Sequence, residues 1–247
     1  MKSKHSPICS SGCYMPHLCS GKPCLMQPRD YYPLFADLNG RACVVIGGGI
    51  IAQRKVTTLL RYGASVTVIS PEITPRLSVY AKQGRIRYCR RRFKPSDLRG
   101  AWLVYASTND EKINQRVFKT AEKRHIFANV VDQKPLCSFI APAIVKRGPL
   151  TIAVSTGGAS PSLAKKLKRE LDATIGNQYA PALKLLERLR GIAKKRLPAY
   201  SDRKIYFDEL VHGPVLAMTR AGRYSRARRQ ALAVLDRHVK AKTNGSR

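Results

Sequence analysis

The segment Ala42-Cys43-Val44-Val45-Ile46-Gly47-Gly48-Gly49-Ile50-Ile51-Ala52-Gln53-Arg54-Lys55 constrains the fold more than any other. A short apolar run enters three glycines, and a helical pattern begins directly after them. The spacing Gly47-x-Gly49-x-x-Ala52 asks for a small residue at each point. Gly47 permits a tight turn, Gly49 lets a phosphate approach the backbone, and Ala52 lets the helix pack close to the strand. Free amides at the positive end of such a helix suit a pyrophosphate, so Gly47, Gly48 and Gly49 are candidate dinucleotide contacts. A second strand pattern, Ser65–Ser70, follows the helix. That strand–loop–helix–strand context separates a nucleotide site from a chance glycine loop.

The pattern continues along the chain. The first helix is predicted over about Ile51–Tyr62, with Ala52, Val56, Leu59 and Leu60 on one face and Gly63 ending it. Further strands are predicted at Arg85–Cys89, Leu103–Ala106 and Phe127–Val131, with a helix from Glu111 to about Arg124. Strands alternating with helices imply a parallel, doubly wound α/β sheet. The pattern then changes. Ser138–Val145 and Leu150–Ser155 read as an antiparallel hairpin joined by Lys146-Arg147-Gly148-Pro149, a small second module whose strands could cross to another subunit. Ser160-Pro161 then opens a helix as N-cap and first helical residue. The rest is helical and basic. The expected modules are a Cys-rich leader at 1–29, a Rossmann-type domain at 30–141, the small second module at 142–174 and a helical module at 175–247.

Across 247 residues, 46 Lys and Arg face 15 Asp and Glu, a formal net charge of +31 spread along the whole chain. Such a surface favours polyanions, whether nucleic acid, anionic lipid or a polycarboxylate small molecule. No stretch approaches the ~18 apolar residues of a membrane helix, and the N-terminus lacks the apolar core of a secretory signal. The expectation is a soluble cytoplasmic protein without membrane contact. Of seven cysteines, Cys43, Cys89 and Cys137 fall in predicted strands as small core residues. Cys9, Cys13, Cys19 and Cys24 crowd the first 24 positions, without a C-x2-C pair of standard zinc modules. A disordered leader, or translation starting at Met15 or Met26, is favoured there over a metal site. His125 has no partner pattern, and no metal ligand is assigned.

Four segments together resemble the precorrin-2 dehydrogenase and sirohydrochlorin ferrochelatase family, the N-terminal module of siroheme synthase. They are Tyr32-Pro33-Leu34-Phe35 with Leu38; Val45–Gly49 through Ala52, Arg54 and Lys55; Ala106-Ser107-Thr108 with Asn114-Gln115-Arg116-Val117; and Asn129-Val130-Val131-Asp132 leading into Ser138-Phe139-Ile140 and Val154–Pro161. The likeness covers roughly residues 31–215. It implies NAD-dependent removal of two hydrogens from precorrin-2, giving sirohydrochlorin. It also implies a Rossmann domain, a strand-exchanging dimerisation module, a helical C-terminal module and a homodimer. Some members also insert iron.

Asp132 is the candidate catalytic residue. It ends a strand at the carboxyl edge of an open sheet, where ligands of such folds collect; the alternative is an Asp that merely begins a turn. The resemblance places the family's catalytic aspartate here, as a general base beside the nicotinamide. It also places the backbone of Ile50 and Ile51 on the dinucleotide, and a second cofactor-contacting pair on Pro71 and Glu72. Ser70 ends the second strand, where an acid usually holds the ribose hydroxyls, so Glu72 or backbone atoms take that task. Thr108 lines the cofactor cleft or closes a turn. Arg54, Lys55, Arg116 and the loop carrying Thr156, Gly157, Gly158 and Ser160 are candidate contacts to a polycarboxylate tetrapyrrole. A competing reading is a Rossmann NAD sensor that grips nucleic acid. The basic tail Arg220–Arg229 would suit phosphates, but only Tyr224 is there for stacking and no recognition unit is evident.

Overall fold

In the computed structural model, residues 30–245 are described. Residues from Asp37 onward form one compact unit, to which every strand and helix among the described residues belongs. The Cys-rich leader expected at 1–29 lies outside the described residues.

Five parallel strands form the sheet: β1 (Ala42–Ile46), β2 (Ser65–Ile69), β3 (Arg87–Cys89), β4 (Leu103–Ala106) and β5 (Phe127–Val130). Their order is β3-β2-β1-β4-β5. The chain therefore builds outward from β1 in one direction, then returns to build from β4 in the other. The crevice between the carboxyl ends of β1 and β4 is the switch point at which such sheets bind ligands. The apolar run of β1 reflects burial on both faces. Val45 packs with Ala52, Val56 and Leu59 of α1 (Ile50–Arg61) and Leu77 of α2 (Pro75–Lys82). Val44 and Ile46 pack on the other face with Val117 and Ala121 of α3 (Glu111–Glu122). Each buried Val, Leu or Ile among them contributes roughly 1.5–3 kcal/mol of burial.

Helix α2 was not anticipated, although its signals are local: Thr74 accepts the Leu77 amide at the N-cap, and Pro75 occupies the first turn. Cys43 and Cys89 lie in β1 and β3 as expected. Cys137 is buried but lies outside the named strands, where it forms an isolated antiparallel bridge with Asn129.

The hairpin is shorter and tighter than its sequence suggested. β6 (Ala143–Arg147) pairs with β7 (Leu150–Val154), and Arg147 sits opposite Leu150, so Gly148 and Pro149 alone make the turn. Residues 138–142 do not extend β6. The Ser138 amide instead donates to the Ala128 carbonyl of β5 at 2.8 Å, and Pro142 has no amide to give. Ser160 caps α4 (Pro161–Thr174) by accepting from the Leu163 amide. Arg147 donates to the Asp172 carboxylate at 3.0 Å and to the Ile175 carbonyl at 3.0 Å, clamping the hairpin to the end of α4.

The last helices, α5 (Tyr179–Arg196), α6 (Tyr200–His212), α7 (Pro214–Arg220) and α8 (Tyr224–Gly245), enclose a separate core of Leu189, Leu197, Tyr206, Leu210, Ala231 and Leu235. The buried Tyr206 hydroxyl donates to the Ala231 carbonyl at 3.1 Å, which satisfies its polar atom inside that core. The observed architecture is thus the expected one: a Rossmann-type parallel sheet, an antiparallel strand pair and a helical C-terminal region.

Candidate dinucleotide and substrate site

The glycine loop is shaped by its own neighbours as well as by any ligand. Gly47 has φ +111°, and a Cβ there would meet the Ser107 carbonyl oxygen at 2.6 Å. A Cβ on Gly48 would lie 1.8 Å from the Glu72 carbonyl oxygen. The Thr74 amide donates to the Gly48 carbonyl at 3.0 Å, and the Thr74 hydroxyl donates to Gln53 Oε1 at 2.7 Å. The loop is thus held between the carboxyl ends of β2 and β4. Gly49 differs. It is exposed, caps α1 without a side-chain hydrogen bond, and a Cβ there would meet nothing within 4 Å. The first helical bond runs from the Gln53 amide to the Gly49 carbonyl. The amides of Ile50, Ile51 and Ala52 therefore precede the intrahelical ladder. Open space above a glycine, at an uncapped helix start, fits a pyrophosphate. Ile50 and Ile51 are 56% and 43% exposed, so their side chains lie over the surface rather than in the core.

At the ribose end, Ser70 is buried and its amide donates to the Cys89 carbonyl at 3.3 Å. The Tyr88 hydroxyl donates to the Pro71 carbonyl at 3.1 Å. Pro71 and Glu72 line a cleft with Tyr88, Lys82 and Arg90. Thr108 closes a turn: its hydroxyl lies 2.9 Å from Asn114 Oδ1 and accepts from the Asp110 amide, while Asn114 Nδ2 donates to the Thr108 carbonyl at 2.9 Å. Asn114, buried in α3, thereby fixes the chain between β4 and α3.

Asp132 follows β5 by two residues, is exposed, and holds a left-handed φ of +60°. Such a conformation is uncommon for a residue with a Cβ and concentrates at functional turns. Lys55, projecting from α1, places its Nζ 4.7 Å from the Tyr105 ring centroid. Phe139 meets the same ring edge-on at 5.4 Å. Burial pushes the Lys55 ammonium below its ordinary pKa, while the nearby Cys137 and Asp132 pull it back up. The helix that starts at the glycine loop therefore carries a cation into the field of the acid at the end of β5. A Cβ on Gly158 would lie 3.3 Å from Lys134 Cδ, so the loop before α4 rests against the residue two positions after Asp132. Within that loop Thr156 Oγ1 accepts from the Ser160 amide at 3.1 Å, and the Gly157 amide donates to Ser155 Oγ at 3.1 Å.

The structure thus gathers Gly47–Gly49 with Ser70, Pro71 and Glu72, and Lys55 with Asp132 and, through Lys134, the loop of Thr156, Gly157, Gly158 and Ser160. Arg54 is exposed on α1. Arg116 lines a groove with Lys112, Lys119, Lys123 and Arg124 on α3 and the residues just after it. Sequence reasoning missed Thr74, Gln53, Tyr105 and Lys134. The Thr74-Pro75 cap was the one legible signal among them.

Three family models match consecutive parts of the chain. Residues 34–143 match a putative NAD(P)-binding domain, 147–174 the sirohaem biosynthesis protein central region, and 178–235 the sirohaem synthase dimerisation region. Siroheme synthase of Methylobacillus flagellatus is 40% identical over 204 residues, covering 83% of this chain and 44% of that protein. Siroheme synthase 1 of Serratia proteamaculans is 38% identical over 201 residues, covering 81% of this chain and 42% of that protein. The chain thus spans less than half the length of these relatives. The solved structure of SirC, a precorrin-2 dehydrogenase, superposes with a TM-score of 0.69 at 26% identity, covering 84% of this chain and 100% of SirC. With these three consecutive matches spanning most of the chain and the superposition on SirC, the chain belongs to the precorrin-2 dehydrogenase and siroheme synthase family.

Proposed function

We propose that this chain is an NAD-dependent dehydrogenase that oxidises precorrin-2 to sirohydrochlorin, working as a homodimer in the cytoplasm. The observation that carries this reading is the likeness to SirC over that protein's whole length, combined with an open Gly49 at the uncapped start of α1. No helix among the described residues is long and apolar enough to cross a membrane.

In this reading the dinucleotide lies over Gly47–Gly49, with its phosphates on the amides of Ile50 and Ile51 and its ribose beside Ser70, Pro71 and Glu72. NAD, when bound, supplies the acceptor for the hydride removed from the macrocycle. Asp132 takes the accompanying proton, so the two hydrogens leave as one hydride and one proton. Lys55, which feels the charge of Asp132, offers a cation at the same edge of the sheet. Lys55, Arg54 and the donors of the loop from Thr156 to Ser160 meet the substrate's carboxylates. The hairpin and the helical bundle form the proposed subunit contact. The half-exposed Leu163 and Leu167 on α4 supply apolar surface for it, and the dimerisation match covers most of the bundle. The modular plan proposed is a sheet domain at 30–141, the hairpin with α4 at 142–174, and helices from 175 onward.

An anaerobic assay of precorrin-2 with NAD tests the reading, with oxidation followed by the change in tetrapyrrole absorbance. Turnover by the wild type and its loss in Asp132→Ala are expected; unchanged turnover in that variant removes Asp132 from the chemistry. Adding ferrous iron afterwards reads out metal insertion separately.

A further inference from the structure

The cleft beside the ribose end carries more positive charge than an NAD site needs. In dinucleotide-binding sheets an acid at the end of the second strand selects the ribose 2′-hydroxyl, and a nearby Arg accommodates a 2′-phosphate instead. Here Ser70 stands at that strand end with its side chain largely buried. Its amide bonds to Cys89, the last residue of β3, so the next residue, Arg90, emerges beside the ribose position. Arg90 and Lys82 line one cleft with Pro71 and Glu72. Tyr88 anchors its floor by donating to the Pro71 carbonyl. Two cations facing one carboxylate leave the cleft net positive. The neighbouring Arg91 is occupied, holding Asp97 through two hydrogen bonds of 2.8 and 2.6 Å, so it leaves Arg90 as the arginine directed to the cleft.

Resting on the dinucleotide-binding reading above, we propose that this cleft is a 2′-phosphate subsite in which Arg90 and Lys82 receive the phosphate, so that the domain takes NADP+ as well as NAD+. The guanidinium fork of Arg90 matches two phosphate oxygens, and Lys82 adds a point charge. Glu72 serves the opposite ligand: its carboxylate favours a free 2′-hydroxyl and repels the phosphate, which sets the balance between the two dinucleotides.

Direct binding of NADP+ and NAD+ to the full chain, by calorimetry without substrate, tests this. Both bind within about tenfold of each other. Arg90→Glu weakens NADP+ by tenfold or more and leaves NAD+ within about twofold, because Arg90 is exposed and no part of the glycine cradle. Lys82→Glu acts in the same direction more weakly, and Glu72→Gln moves preference toward NADP+. Adenosine 2′-phosphate outcompetes adenosine 3′-phosphate. Equal competition by the two would show general attraction to a basic protein and overturn the proposal. So would NAD+ binding with NADP+ a hundredfold weaker, or equal loss of both in Arg90→Glu. Failure of both dinucleotides to bind a folded wild-type chain would overturn the dinucleotide reading itself, and the subsite with it.

Discussion

Gly48 and Glu72 approach so closely that a single methyl group on the glycine would sit 1.8 Å from the glutamate carbonyl oxygen. The loop after β1 and the segment after β2 are thereby fitted to each other by the absence of a side chain. Gly49, one residue on, faces open space. The two glycines differ in what they face: Gly48 meets the protein's own backbone, and Gly49 opens on the space where we propose the pyrophosphate lies.

Gly48→Ala and Gly49→Ala therefore separate stability from binding. Gly48→Ala has to displace backbone and is expected to cost about 2–3 kcal/mol in chemical unfolding. Gly49 has φ −76°, which alanine adopts freely, so Gly49→Ala costs at most about 1 kcal/mol as a poorer helix cap and loses dinucleotide affinity. Calorimetric titration with NAD+ beside urea unfolding reads both.

Asp132→Asn keeps a residue type that tolerates the left-handed conformation while removing the base. Dehydrogenation is expected to fall about a hundred- to ten-thousand-fold, with stability changed by less than about 0.5 kcal/mol because the side chain is exposed. A variant with full turnover would assign proton removal elsewhere.

Lys55 gives a pH signature. Burial lowers its pKa from 10.5 in the folded state, so between the lowered value and 10.5 the unfolded chain holds more protons. Stability contributed by this site therefore rises as pH climbs through that window. Lys55→Met abolishes the rise, measured by unfolding at a series of alkaline pH values, and also weakens tetrapyrrole binding.

The hairpin clamp titrates in the opposite range. Hydrogen bonding from Lys168, with further support from Arg147, holds the Asp172 carboxyl below its ordinary 3.8. Its contribution is present above 3.8 and disappears as pH falls through the lowered folded value. Asp172→Asn should flatten the acid limb of the stability curve, and amide exchange in β6 should accelerate.

Arg116→Ala is expected to leave the substrate KM within about twofold, since Arg116 lies in a solvated basic groove on α3. A tenfold rise would bring that groove into the substrate site, and steady-state kinetics decides it.

Much of this protein was legible in its sequence because the relevant physics is local. The apolar runs, the glycine spacing and the Ser160-Pro161 cap report backbone sterics and burial within a few residues, so the alternation of strands and helices and the tight glycine turn followed directly. The tertiary structure decided which distant segments meet. It turned Thr108 and Asn114 toward each other at the start of α3, grouped Arg116 with Pro95 and Arg124 along one groove, laid Gly158 against Lys134, and drew Ser138 to the edge of β5 instead of into the hairpin. Those outcomes depend on strand order and on competition for backbone hydrogen bonds between residues far apart in the chain, and no local pattern encodes them.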